Sequence, residues 1–306
     1  MAGWRMLDRA LPGDSPGDLV AWRVAPLIAW RGQGWSPHDR KWRMKILMVG
    51  DIVGKPGRKM LRRVLPELKR ELELDFVVVN GENAAAGFGT TEGTANEMFD
   101  AGADVISGGN HTFDQRDFIP ALDGEWPVLR PANYPEGTPG RGVVRIGKVA
   151  VINVQGRVFM PEGLDSPFVV ANRLIEEMED DPPAVILVDF HTEATSEQAA
   201  LGWYLDGRVS AVVGTHTHVG TADTKVLPRG TAFVTDLGMT GPVNSVIGSR
   251  VEDVLARFLT AMPRRLNVAE DPGPAQFNAV MIDVDERSGL ANSIERVDRF
   301  LDLRDA

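Results

Sequence analysis

Four of the chain's five histidines stand at or just beyond the ends of short apolar runs: His111 in ISGGNH, His191 in ILVDFH, and His216 and His218 in VVGTHTH. Asp51 closes KILMVGD, Glu82 and Asn83 close VVVNGEN, and Asn110 precedes His111. Taken singly, none of these is specific. A Gly-Asp after a strand is usually a turn or a helix cap, a single strand-end His is usually a hydrogen-bonded structural residue, and NGEN could be a tight turn. Taken together, they bring two carboxylates, two carboxamides and three or four imidazoles. That is about what two five- or six-coordinate cations need if one carboxylate bridges them. Cysteine is absent, which excludes thiolate ligands, disulfides and a cysteine nucleophile. In an extended segment residues two apart point to one side, so His216 and His218 are expected to face one cavity, holding two ions or sharing one. Gly50, Gly81, Gly109 and Gly214 flank these residues and permit close backbone approach.

The elements that must position them alternate. Strands are predicted at 45–51, 75–83, 103–111, 184–191, 210–218 and 231–236, and a hairpin at 143–154 turning on Gly147-Lys148. Helices are predicted at 57–73 with a kink at Pro66, at 91–102 ending on Gly102, and at 166–178, 195–206 and 249–260. The tail, 277–303, holds two strand-like runs around Ser288-Gly289. This is an α/β pattern with a mixed sheet. In such sheets sites form beyond the strands' carboxyl ends, and five separate strands deliver a donor to that edge.

Residues 44–306 read as one domain. Residues 1–43 differ: they hold five of the seven Trp, show no clear period, and carry seven Lys/Arg against four Asp. They are expected to be an extension, disordered or loosely attached; the alternative is an arm that docks on a partner subunit through its Trp residues. Net charge is −10, which disfavours non-specific binding to duplex nucleic acid or an anionic membrane. No apolar run approaches the ~20 residues of a membrane span, and LVAWRVAPLIAW, broken by Arg23 and Pro26, is a poor secretory h-region. The expectation is a soluble cytoplasmic protein.

The ordered series of motifs resembles the calcineurin-like metallophosphoesterases, whose usual pattern is D-x-H, G-D-x-x-D, G-N-H-E, a single H, and G-H-x-H. Departures occur at Val53, where a His is usual; at Glu82, where an Asp is usual; at Thr112, which follows His111; and at Thr215, inserted in GTHTH. The segments GDIVGKPGR (50–58), NGENAAAGFG (80–89), GGNHTFD (108–114), DFHTEATSEQ (189–198) and GTHTHVGTAD (214–223) are closer to the YmdB-like branch, from Met44 to the C-terminus. The resemblance implies a β-sandwich of two mixed sheets flanked by helices, with a dinuclear metal site at the strand ends. It implies that Asp51, Glu82, Asn83 and His218 bind one ion, and that Glu82, Asn110, His191 and His216 bind the other, Glu82 bridging. His111 is then the general acid and not a ligand. A hydroxide held between the ions would attack phosphorus in line, and His111 would protonate the leaving alkoxide; an imidazole of ordinary pKa, ~6.5, suits that step. The mixed donors suit Fe or Mn, with Zn also compatible.

The same resemblance points to a small phosphodiester substrate, a 2′,3′-cyclic nucleotide, and to a homo-oligomer. Two other classes stay open: a phosphomonoesterase or phospholipase on the same site, and a metal-containing regulatory protein that only binds a partner. Phe88, Phe113 and Phe159 could stack a base, but burial in the core is the expectation for each. AAAGFGTT fits a flexible rim loop or a tight turn equally. GKPGR lacks the phosphate-loop spacing and reads as a turn entering the helix. For Thr192, Glu193 and Ser196, capping of the following helix is favoured over orienting a metal ligand.

Overall fold

In the computed structural model the described residues are 39–160, 163–270 and 273–304. The expectation for the N-terminal extension falls mostly on residues outside these; residues Asp39–Trp42 form a 3₁₀ turn that leads directly into the first strand. In chain order the elements are β1 (Arg43–Val49), β2 (Asp51–Ile52), α1 (Gly54–Glu71), β3 (Phe76–Asn80), α2 (Glu92–Ala101) and β4 (Val105–Ser107). Then come β5 (Val143–Ile146), β6 (Val149–Gln155), α3 (Pro167–Glu176), β7 (Val185–His191), α4 (Thr195–Leu205) and β8 (Ala211–Thr215). The chain closes with β9 (Lys225–Val226), β10 (Ala232–Val234), β11 (Met239–Pro242), α5 (Val251–Thr260), β12 (Pro274–Phe277), β13 (Ala279–Asp285), β14 (Leu290–Arg296) and β15 (Arg299–Asp302).

Two mixed sheets dominate, in the orders β14-β13-β1-β3-β4 and β5-β6-β7-β8-β10-β9. One core lies between them, where Ile46, Met48, Val78 and Val280 meet Val151, Leu187, Val213 and Val234. A second lies between the first sheet and α1 with α2, and a third between the second sheet and α3 with α4. The layers are therefore helix, sheet, sheet, helix, as strands buried on both faces require. A further sheet, β15-β12-β11-β2, is an addition to the two expected. Its strands are only two to four residues long, and two of them carry Pro or Gly (Pro-Ala-Gln-Phe in β12, Met-Thr-Gly-Pro in β11), so they carry no readable alternation.

Local signals fix the units that deliver the site. Helix α2 opens on a reciprocal cap: Thr91 Oγ1 accepts from Thr94 N and Thr94 Oγ1 accepts from Thr91 N, a device worth about 1 kcal/mol. It closes on Gly102 at φ 113°, the left-handed residue that ends many helices. Helix α1 starts at Gly54, earlier than the predicted 57, so GKPGR is its first turn; Pro66 lies inside the helix. The 143–154 hairpin turns where expected, with Gly147 at φ 56°.

Candidate metal centre

Side chains from β2 and from the ends of β3, β4, β7 and β8 and the loops after them converge. Asp51 opens β2 and is fully buried; Glu82 and Asn83 follow β3 and are buried. Asn110 and His111 lie in the turn after β4, and His191 ends β7, fully buried. Gly109 packs against the His191 ring so closely that an added Cβ would lie 2.3 Å from it. Only glycine allows that approach.

His216 and His218 correct the sequence reading. Strand β8 stops at Thr215, and the two histidines are not extended: their φ values are 109° and 65°. Both residues are left-handed, a strained conformation for non-glycine residues, and their rings go to different partners, His216 to His191 and His218 to Asn83. Buried Asp236 pins this turn by accepting from Thr217 N (3.0 Å) and Gly238 N (2.7 Å).

The donors form two groups. In the first, His218 Nε2 stands 3.0 Å from Asn83 Oδ1 and 3.8 Å from Asp51 Oδ1. In the second, His191 Nε2 stands 3.1 Å from Asn110 Oδ1, 3.1 Å from His216 Nδ1 and 3.6 Å from Glu82 Oε1. Among the described residues no three His, Asp or Glu side chains form a ready-made cage; each group is mixed, with a carboxamide oxygen beside imidazole and carboxylate.

Proton placement tests whether cations fit. His218 Nδ1 donates to the Ile247 carbonyl (2.8 Å), which can only accept. Burial pulls the His218 pKa down, so the ring is neutral and Nε2 carries a lone pair. Asn83 Nδ2 donates to Gly87 O (3.0 Å), which turns its Oδ1 toward that lone pair. Asp51 Oδ1, alongside, has no partner. With Asp51 ionised, three acceptors face one another with no donor between them, which costs free energy in a buried site unless a proton on Asp51 or a cation sits among them.

The second group repeats the logic. Thr215 Oγ1 donates to Asp189 Oδ1 (2.7 Å) and so accepts from His191 Nδ1 (3.0 Å), leaving His191 Nε2 as a lone pair toward Asn110 and Glu82. Glu82 Oε2 has no partner either.

The electrostatics agree. Burial pushes the Asp51 pKa up to about 8, opposed by the bond from His216 N and assisted by the charge of Asp189. Burial also holds Glu82 well above the carboxylate range, against the donation from His111 N, with the charges of Asp51, Asp114 and Asp189 adding to the rise. Burial, then the neighbouring His218 and His111, take His216 down to about 4. Acids driven to hold protons and bases driven to lose them are what a cationic site looks like without its cations. With no cysteine in the chain and only oxygen and nitrogen donors, the set fits metal ions of the Mn, Fe or Zn kind.

His111 stands apart from both groups. Its Nδ1 lies 2.8 Å from Asp114 Oδ2, and its ring meets the edge of Phe88 at 5.0 Å. Its backbone N donates to Glu82 Oε1 (2.5 Å).

Val53, where a His is usual, lies in a small apolar cluster with Met239 and Val268. AAAGFGTT is a tight turn: Ala85 N donates to Gly89 O and Gly89 N to Glu82 O. Core burial is wrong for Phe159, which is 86% exposed, and for Phe88, at 36%; Phe113 is half-buried against Tyr134. Capping is also wrong for 192–196. Ala194 is the cap residue of α4 without a side-chain bond, Thr192 Oγ1 donates to Glu197, and Glu193 Oε2 lies 3.4 Å from His216 Nε2. Asp114, Asp189 and Asp236 had no role in the sequence reading. Their only signal there was position: Asp114 and Asp189 lie inside the same motifs, and Asp236 ends the strand predicted at 231–236.

Comparison with known proteins shows the family of the chain. Residues 47–297 match the model of the YmdB-like protein family. A 2′,3′-cyclic-nucleotide 2′-phosphodiesterase of Bacillus subtilis (strain 168) is 49% identical over 258 residues, 83% of this chain and 96% of that protein. The crystal structure of a hypothetical protein from Thermus thermophilus superposes with a TM-score of 0.78 at 42% identity, covering 84% of this chain and 99% of that one. That of a Mycoplasma pneumoniae phosphatase superposes with a TM-score of 0.79 at 32% identity, covering 85% and 94%. Among the described residues no helix is long and apolar enough to cross a membrane.

Proposed function

The chain belongs to the YmdB-like family, and on that premise we propose that it is a dinuclear-metal phosphodiesterase acting on 2′,3′-cyclic nucleotides. The observation that carries this reading is the meeting of His218 Nε2, Asn83 Oδ1 and Asp51 Oδ1, three acceptors once Asp51 is ionised, with no hydrogen-bond partner for Asp51 Oδ1 among the described residues. The relative named for 2′,3′-cyclic-nucleotide hydrolysis supports the substrate class.

Asp51, Asn83 and His218 would hold one ion, and Asn110, His191 and His216 the other, with Glu82 shared. When bound, the two cations supply electrostatic stabilisation of the phosphoryl oxygens and lower the pKa of a water molecule. The remaining work falls to the chain's own groups. Thr215, backed by Asp189, fixes the His191 tautomer, and the Ile247 carbonyl fixes that of His218, so each ring presents a lone pair. Asp114 accepts from His111 Nδ1 and so orients the ring, which leaves Nε2 to pass a proton to the departing ribose oxygen. Proton donation there completes ring opening to a nucleotide monophosphate.

The test combines elemental analysis with a substrate panel: 2′,3′-cyclic nucleotides, phosphomonoesters and a phospholipid, with Mn²⁺ added. Bound Fe, Mn or Zn and turnover of the cyclic diesters, abolished by chelation, are expected. Rapid turnover of monoesters alone would replace the diesterase reading. His111→Ala should keep its metal and lose about 10²–10⁴-fold in rate; an unchanged rate removes His111 from the chemistry.

A further inference from the structure

An open cavity of 340 Å³ adjoins His218, at the lower end of the roughly 300–1,000 Å³ usual for small-molecule sites. It is built from the immediate neighbours of the candidate ligands. Met239, in its wall, is the register partner of Asp51 across β11 and β2. Asn278, in its floor, accepts from Gly50 N through its carbonyl (3.0 Å). Ile247, on its apolar side, is the residue whose carbonyl orients His218.

The polar side of this cavity has a defined sense. Arg296 Nε donates to Asp298 Oδ2 (2.9 Å) and Arg296 Nη2 to Asp298 Oδ1 (2.9 Å). Asn278 Nδ2 donates to Asp298 Oδ1 (3.0 Å), which leaves Asn278 Oδ1 as an acceptor, and Gln276 Nε2 fills it (2.9 Å). Position 238 must be glycine for this: at φ 87°, an added Cβ would lie 2.7 Å from Asn278 Oδ1. The ion pair thus fixes Asn278, and Asn278 fixes Gln276. At the end of the relay, Gln276 lines the cavity, and with its Nε2 committed to Asn278 its Oε1 is left as an acceptor.

Resting on the phosphodiesterase reading, we propose that this cavity holds the nucleoside of the substrate and that Gln276 Oε1 accepts from an N–H on the edge of its base. Met239 and Ile247 flank the base with apolar surface, and Gln276 makes the site discriminate bases that present a donor from those that do not. Adenine and unsubstituted purine differ by one amino group and separate the two cases.

The experiment compares kcat/KM of the metal-loaded full chain on adenosine 2′,3′-cyclic phosphate, purine riboside 2′,3′-cyclic phosphate and bis(4-nitrophenyl) phosphate, a diester without a nucleoside. The adenosine substrate should be favoured roughly three- to ten-fold over the purine one, the range for one neutral hydrogen bond. Gln276→Leu should bring that ratio to about one. Binding of adenosine and purine riboside to the chelated wild-type protein, followed by NMR titration, should show the same order and does not depend on turnover or on the variant's folding. Equal kcat/KM or equal binding of the two in the wild type, or an equal fall on all three substrates in the variant, overturns the proposal and leaves the phosphodiesterase standing. Failure to hydrolyse any of the three, bis(4-nitrophenyl) phosphate included, removes the phosphodiesterase reading and the proposal with it.

Discussion

Asp51→Asn should have opposite effects on stability with and without metal. In the metal-free fold Asp51 is fully buried, Oδ1 has no partner, and its pKa rises from 3.8 to about 8. The folded state therefore binds a proton more tightly than the unfolded state. The resulting penalty is absent below the unfolded pKa, grows as pH rises, and levels off above about 8. At about 1.4 kcal/mol per pKa unit, the span from 3.8 to pH 7 makes the penalty about 4 kcal/mol, and above pH 8 it is about 6. Asparagine removes that charge, and its amide N–H₂, standing where Oδ1 was, faces the His218 Nε2 lone pair beside Asn83 Oδ1. Chelated Asp51→Asn protein should then be more stable than chelated wild type by up to about 4 kcal/mol at pH 7, with the gap widening toward pH 8.5 and narrowing toward pH 5. With metal the order reverses, because ligand binding to the native state stabilises only a protein that retains the ligand. Urea unfolding midpoints of both proteins, with chelator and with Mn²⁺, measure this. Refutation would be a chelated variant less stable than wild type at pH 8.5, or equal stabilisation of both proteins by Mn²⁺.

Other perturbations test the supporting groups. Asp114→Asn, which removes the carboxylate from His111 Nδ1, should lower kcat by about 10-fold or more with unchanged metal content by elemental analysis. Asp189→Asn breaks the support of Thr215 and hence of His191; metal affinity measured by competition with a chelator should fall roughly 10–100-fold. Gly109→Ala places a methyl within 2.3 Å of the His191 ring; calorimetry should show a loss of about 1–3 kcal/mol for overpacking, and metal content should fall with it.

The lesson for reading sequences is in particular residues. KILMVGD, VVVNGEN and AVILVDFH were legible because a strand buried on both faces must be continuously apolar, and the polar residue that ends it marks the sheet's edge. The hairpin at Gly147 and the end of α2 at Gly102 were legible because only a few residues accept those backbone angles. The third sheet was not, since strands of two to four residues are too short to carry a periodicity. The turn at His216–His218 was not legible either: its left-handed angles are imposed by Asp236 and by Asp51, the latter accepting from His216 N, and both acids are distant in sequence.

By itself, the sequence determined which donor atoms this protein owns, their order, and that they fall at strand ends, because residue type and local hydrophobic pattern are properties of short segments. Only the tertiary structure decided which lone pairs meet. That depends on Ile247 orienting His218, on Thr215 and Asp189 orienting His191, and on Gly109 letting the His191 ring approach, contacts between segments tens of residues apart. Burial then did the rest, since a carboxylate becomes an electrostatic demand for a cation only once water has been removed from around it.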